Sequence, residues 1–157
     1  MGLSRRQFFT GQRKAVTGAI ALPWWRHQTG CDGCGNCVTA CETQIVQLAP
    51  GAVPQIDFQR GECTFCAACA DACPQALFYP REQQPWQQRI RISRDCITFQ
   101  GVNCRSCQEN CEQQAIVFRL TANGIAQPET TPQHCTGCGA CIAPCPVSAT
   151  GLHHEPE

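Results

Sequence analysis

The stretch Cys63-Thr64-Phe65-Cys66-Ala67-Ala68-Cys69-Ala70-Asp71-Ala72-Cys73-Pro74 spaces four cysteines as C-x2-C-x2-C-x3-C and closes on a proline. The same rhythm recurs at Cys31, Cys34, Cys37 and Cys41, and again at Cys135, Cys138, Cys141 and Cys145, where Pro146 comes next. A further set, Cys96, Cys104, Cys107 and Cys111, keeps the last three positions and moves only the first upstream. Together these sets use all 16 cysteines of the 157-residue chain. Thiolates at this spacing hold a 4Fe–4S cube, so the sequence predicts three to four such clusters, with the Cys96 set the variant one.

The spacing has a physical reason. Two-residue gaps let a tight loop curl around one face of a cube and offer three thiolates in succession. The longer gap sends the last cysteine in another direction. In bacterial two-cluster ferredoxins that last cysteine ligates the other cluster. If ligands are exchanged in this way, Cys41 and Cys73 trade partners, and so do Cys111 and Cys145. A secreted disulfide framework also gives a high, even cysteine count, but not one repeated rhythm. Structural zinc uses paired C-x2-C knuckles, to which a third cysteine two residues on is surplus.

The sets alternate in the residue next to their last cysteine. Cys41 and Cys111 precede glutamate, whereas Cys73 and Cys145 precede proline. A two-cluster unit has therefore been used twice in tandem. The expected fold is α+β, small and loop-rich, with two tandem bacterial ferredoxin-like units. The organisation expected is a basic N-terminal tail over 1–29, a first unit over 30–82, a linker over 83–89 and a second unit over 90–157. Brief strands are predicted over Gln55–Phe58, Arg89–Ser93 and Ile116–Leu120. Helical turns are predicted across the x3 gaps and just after the last cysteine of each set. The eight-position step from Cys96 to Cys104 reads as a wrapping loop around Phe99, and a contact face is the alternative reading. His27 and His134 read as surface residues, and His153-His154 as solvated tail.

Composition fits a chain held together by its cofactors. The hydrophobic share of 43% includes the cysteines; without them it falls to about a third, low for a globular chain. Units this small bury too little to stand without staples. The formal charge of zero conceals an asymmetry: residues 1–30 hold five basic and no acidic side chains, and the remainder seven basic and twelve acidic. Loaded clusters would add roughly eight negative charges to the body. No basic-aromatic pattern points to nucleic acid. No nucleotide loop, paired catalytic carboxylate or flavin fingerprint is present, and the expectation is a protein that is not an enzyme.

The tail carries two readings. Ser4-Arg5-Arg6-Gln7-Phe8-Phe9 is similar to a twin-arginine export signal, and Ala19-Ile20-Ala21 to a cleavage site. Only about eight apolar residues separate Lys14 from Pro23, short for a signal core and far short of a membrane span. Trp24-Trp25 reads as a pair of rings anchoring the tail on the body, with contact to a membrane surface or partner as the alternative.

Arg5-Arg6 with Gly11 and Arg13, the Pro23-Trp24 pair, the alternating Cys-Glu and Cys-Pro sets, and Gly124-Ile125 before the last set together resemble the NapF family. These are the ferredoxin-type proteins encoded with periplasmic nitrate reductases. The resemblance spans nearly the whole chain, including the irregular third set. It implies a cytoplasmic protein that meets the precursor of the molybdenum-containing catalytic subunit and assists its maturation, by cluster assembly or electron delivery. It carries the family's cluster ligands onto the Cys31, Cys63 and Cys135 sets position by position, and onto Cys96, Cys104, Cys107 and Cys111 as a variant set. The alternatives are an electron-transfer subunit of a quinol or formate pathway, periplasmic if the twin arginines direct export, or a redox sensor.

Overall fold

The computed structural model describes residues 20–26, 29–122 and 124–154. Arg5, Arg6, Gly11, Arg13, Lys14, Ala19 and His27 lie outside the described residues. Three helices of a single turn, α1 (Asn36–Thr39), α2 (Ala68–Asp71) and α3 (Ser106–Glu109), alternate with six short strands. These are β1 (Val46–Leu48), β2 (Pro54–Ile56), β3 (Gln88–Ile92), β4 (Ile116–Leu120), β5 (Ala126–Thr130) and β6 (Thr150–His154). Helices this short do not persist alone, and each carries the third cysteine of its set. The result is loop-rich α+β with two tandem ferredoxin-like units.

The units share one plan. In the second, β4 and β5 form an antiparallel hairpin, and β3 pairs antiparallel with β6, Ile90 opposite Leu152. In the first, β1 and β2 form the hairpin, Gln47 opposite Gln55. There the outer pair shrinks to a bridge between Trp25 and Phe78. Two backbone bonds reinforce it: the Arg26 amide donates to the Leu77 carbonyl at 2.8 Å, and the Tyr79 amide to that of Trp24 at 2.7 Å. Ile20 bridges to Ile56 beside the hairpin. Ile20, Leu22 and Trp24 are buried, at 4%, 2% and 6% exposure, so residues 20–26 belong to the packed body.

The predicted strand over Ile116–Leu120 is observed with the same bounds. Those over Gln55–Phe58 and Arg89–Ser93 are shifted to Pro54–Ile56 and Gln88–Ile92. Strands β1, β5 and β6 have partners distant in sequence or too little alternation to be seen locally. His153 and His154 are exposed, but they end β6 in register with Arg89 and Gln88 rather than forming a loose tail. The turns after the last cysteines are not helical. Gln44, Gln114 and Ser148, each three residues past such a cysteine, are left-handed, with φ of 54°, 50° and 52°.

Left-handed backbone also flanks the second cysteine of each regular set. Gly33 and Gly35 enclose Cys34, Phe65 and Ala67 enclose Cys66, and Gly137 and Gly139 enclose Cys138, all at positive φ. This curls the loop so that three thiols succeed one another around a common space. Residues other than glycine occupy that region at a cost of roughly 1–2 kcal/mol each. In the variant set, Asn103 and Arg105 do not adopt it; Gly101, at φ 85°, turns the chain instead after a 3-10 turn at Ile97–Gln100.

The two units touch through their second and fourth sets. The Cys63 amide donates to the Cys138 carbonyl at 2.8 Å. Trp86, from the connecting segment, donates its indole N–H to the Thr136 carbonyl at 3.0 Å and packs edge-on against Phe58 and Phe65. A Cβ at Gly139 would fall inside the Phe58 ring, so this contact depends on a residue without a side chain. Trp24 holds the same segment from the other side: its indole donates to the Gln83 carbonyl at 2.8 Å.

Candidate iron–sulfur sites

The thiols gather in mixed groups. Cys31, Cys34 and Cys37 line one cavity together with Cys73 from the second set. Cys63, Cys66 and Cys69 line a second with Cys41. Cys135, Cys138 and Cys141 line a third with Cys111. The fourth group is seen through electrostatics: after burial, the groups that raise the Cys107 thiol are Cys145, Cys96 and Cys104. In every group three cysteines come from one set and one from its partner set, the exchange known from two-cluster ferredoxins.

Local turns accompany the exchange at Cys41, Cys111 and Cys145. The left-handed residue after the last cysteine of the first, third and fourth sets aims the next amides back at that sulfur. The Ala115 amide donates to Cys111 Sγ at 3.3 Å, and that of Ala149 to Cys145 Sγ at 3.2 Å. Hydroxyls add to this: Thr43 meets Cys41 at 3.5 Å, Thr98 meets Cys96 at 3.2 Å and Ser106 meets Cys104 at 3.7 Å. Sequence reading missed these three residues. Their signal was a hydroxyl two positions after a cysteine.

At Cys41 and Cys145 such contacts outweigh burial. Burial alone would raise Cys41, yet the Thr43 hydroxyl and the amides of Val46, Ile45 and Thr43 hold it below its ordinary value. Cys145 behaves alike: burial opposes ionisation, and the amides of Val147, Ala149 and Thr150 with the Thr150 hydroxyl overcome it. At Cys63, Cys69, Cys107 and Cys141 burial wins. It pushes Cys63 up to about 11 and Cys69 to about 12, with neighbouring thiolates adding to it. Cys107 is pushed up to about 12 and Cys141 is raised by the same causes. A metal that replaces those protons relieves both the burial and the mutual repulsion.

The donor set suits a cube better than a single ion. Among the described residues, no three Cys, His, Asp or Glu side chains converge as the ligands of one ion would. The ligands of a cube bind separate irons and stand further apart. The walls are otherwise apolar, with Leu77 and Phe78 in the first cavity and Ile116 and Leu152 in the third. Buried side-chain polar atoms without a partner are two among the described residues, Trp25 Nε1 and Gln108 Oε1. Both belong to residues beside cysteines of these groups. At the mouth of the first cavity, Asp32 accepts from the Cys34 amide and from Gln75, tying the first set to the residues after Cys73.

The 4Fe–4S dicluster domain family matches residues 30–77 and 100–149. Ferredoxin-type protein NapF of Escherichia coli (strain K12) is 45% identical over 93% of this chain and 92% of its own length. The chain belongs to the NapF family. NapF of Haemophilus influenzae is 42% identical over 96% of this chain and 94% of its own. The methylamine utilization ferredoxin-type protein MauM of Methylophilus methylotrophus is 28% identical over 87% of this chain and 69% of its own. This NapF-family chain is thus an iron–sulfur protein of ferredoxin type carrying several 4Fe–4S clusters. No helix among the described residues is long and apolar enough to cross a membrane.

Proposed function

We propose that this chain assists the cytoplasmic maturation of the catalytic subunit of periplasmic nitrate reductase, by cluster assembly or electron delivery before that subunit is exported. The observation that carries the reading is the full-length likeness to NapF, at 45% identity across 93% of the chain. MauM marks its limit, since a protein named for methylamine utilization has the same kind of framework; cysteine spacing alone does not choose the pathway.

The proposed ligands are Cys31, Cys34, Cys37 and Cys73 for one cluster and Cys41, Cys63, Cys66 and Cys69 for a second. Cys111, Cys135, Cys138 and Cys141 would hold a third, and Cys96, Cys104, Cys107 and Cys145 a fourth. When bound, such a cube takes up and gives out single electrons. The protein's own share is to hold thiolates, exclude water with apolar walls and aim amides and hydroxyls at sulfur. The packing of Ile20 supports retention in the cytoplasm. Processing after Ala21 would remove this buried residue and its bridge to Ile56.

An anaerobic pull-down with tagged protein from nitrate-grown cells tests the role. Recovery of the molybdoenzyme subunit with its export signal intact is expected. Recovery of mature periplasmic or membrane redox subunits alone would favour the second reading, an electron-transfer subunit of a quinol or formate pathway.

A further inference from the structure

Three indole N–H groups occur in the described body, and they are not used alike. Those of Trp24 and Trp86 each donate to a backbone carbonyl, of Gln83 and Thr136. That of Trp25 is buried and finds no acceptor in the protein. Trp25 lines the cavity of Cys31, Cys34, Cys37 and Cys73. Its ring is held by an edge-on contact with Phe78 at 5.3 Å between centroids and by the backbone bridge between the same two residues. A buried donor fixed in this way is costly unless something accepts its proton.

The same cavity lacks a device that the other groups have. The left-handed turn that aims amides at Cys41, Cys111 and Cys145 is absent after Cys73, where Ala76 does not adopt positive φ. We propose that the Trp25 indole N–H donates a hydrogen bond to a sulfur of the cluster held by Cys31, Cys34, Cys37 and Cys73, and so raises the reduction potential of that cluster. The sign comes from charge. Reduction makes the cluster more negative, and a donor to sulfur stabilises the electron-rich state more than the oxidised one. The inference rests on the proposed assignment of those four ligands.

In wild-type holoprotein labelled with ¹⁵N at the indole nitrogens, pulsed EPR of the reduced protein should show one cluster coupled to one indole nitrogen and its exchangeable proton. Cys34→Ser identifies the cluster by altering its signal. Trp25→Phe keeps a ring on Phe78 and removes the donor. It should abolish the coupling and lower the midpoint potential of that cluster, leaving the others unmoved. Trp24→Phe, whose indole is already bonded to Gln83, should move no potential. If Cys34→Ser leaves every cluster signal unchanged, the ligand assignment fails. If it alters one signal while the labelled wild type shows no indole coupling there, or Trp25→Phe leaves that potential in place, the role of Trp25 is overturned. The labelled wild type decides the question even if Trp25→Phe does not load its clusters.

Discussion

Cys41 and Cys69 face one cavity with opposite acid–base behaviour, because hydrogen bonds to sulfur outweigh burial at the first and not at the second. Iron binds thiolates, so loading this cavity must expel protons that Cys63 and Cys69 hold up to about 11 and 12. Lowering the pH therefore favours the metal-free side. Cluster occupancy should fall as pH falls, and iron affinity should keep rising with pH beyond the ordinary thiol value of 9.0. Anaerobic titration of the visible absorbance would check this; affinity that levels off below 9.0 would contradict it. The exchange of ligands is tested at the same scale. Cys41→Ser should damage the cluster held with Cys63, Cys66 and Cys69 and spare the one held with Cys31, Cys34 and Cys37. Damage confined to the latter would mean that each set closes on itself.

Short elements here are consequences of the loops between them. α1 and α2 start from left-handed residues, Gly35 and Ala67, that leave no side-chain cap. Their stability comes from what the third cysteine packs against. Gly139 shows the same dependence between units. Gly139→Ala should lose roughly 1–2 kcal/mol from the left-handed backbone alone, and more from displacing Phe58. Denaturant unfolding of the loaded protein would measure it. In a Phe58→Ala background the penalty should shrink towards the backbone part, since contacting residues couple in a double-mutant cycle; an unchanged penalty would place the strain elsewhere. The exposed pair Arg119 and Glu129 on the β4–β5 hairpin, 69% and 62% exposed, should contribute little, as surface ion pairs do.

At the scale of the molecule, one apolar cluster runs through both units, from Ile20 and Ile56 to Ile116 and Leu152. Buried cysteines sit within it, at 8% exposure for Cys69 and 7% for Cys107 and Cys141. Removing iron leaves crowded thiols where the core should be densest. Anaerobic chelation should therefore abolish the far-ultraviolet circular dichroism of the β-pairs along with the visible absorbance. A metal-free protein that keeps its secondary structure and cooperative unfolding would show the apolar contacts to be sufficient. The backbone bond from Cys63 to Cys138, the packing of Trp86 and Phe58 and the shared apolar cluster join the units, so chelation should unfold both together rather than in separate steps.

Much of this was legible in the residues themselves. Four cysteine sets, their alternating Cys-Glu and Cys-Pro endings and the tandem repeat are all local features, because a cube imposes its spacing on a short, contiguous stretch of chain. The β4 strand was visible for the same local reason. The grouping of Cys73 with the first set, and of Cys145 with the third, was legible only as a pattern known from other ferredoxins. In this molecule left-handed turns at Gln44, Gln114 and Ser148, which composition does not announce, accompany the exchange at Cys41, Cys111 and Cys145, while Cys73 reaches the first set without one. The pairing of β3 with β6 joins residues some sixty positions apart, and the docking of Phe58 over Gly139 joins the two units. Those contacts, and the unpartnered indole of Trp25 on a cavity wall, depend on where distant segments meet in space, which no local pattern contains.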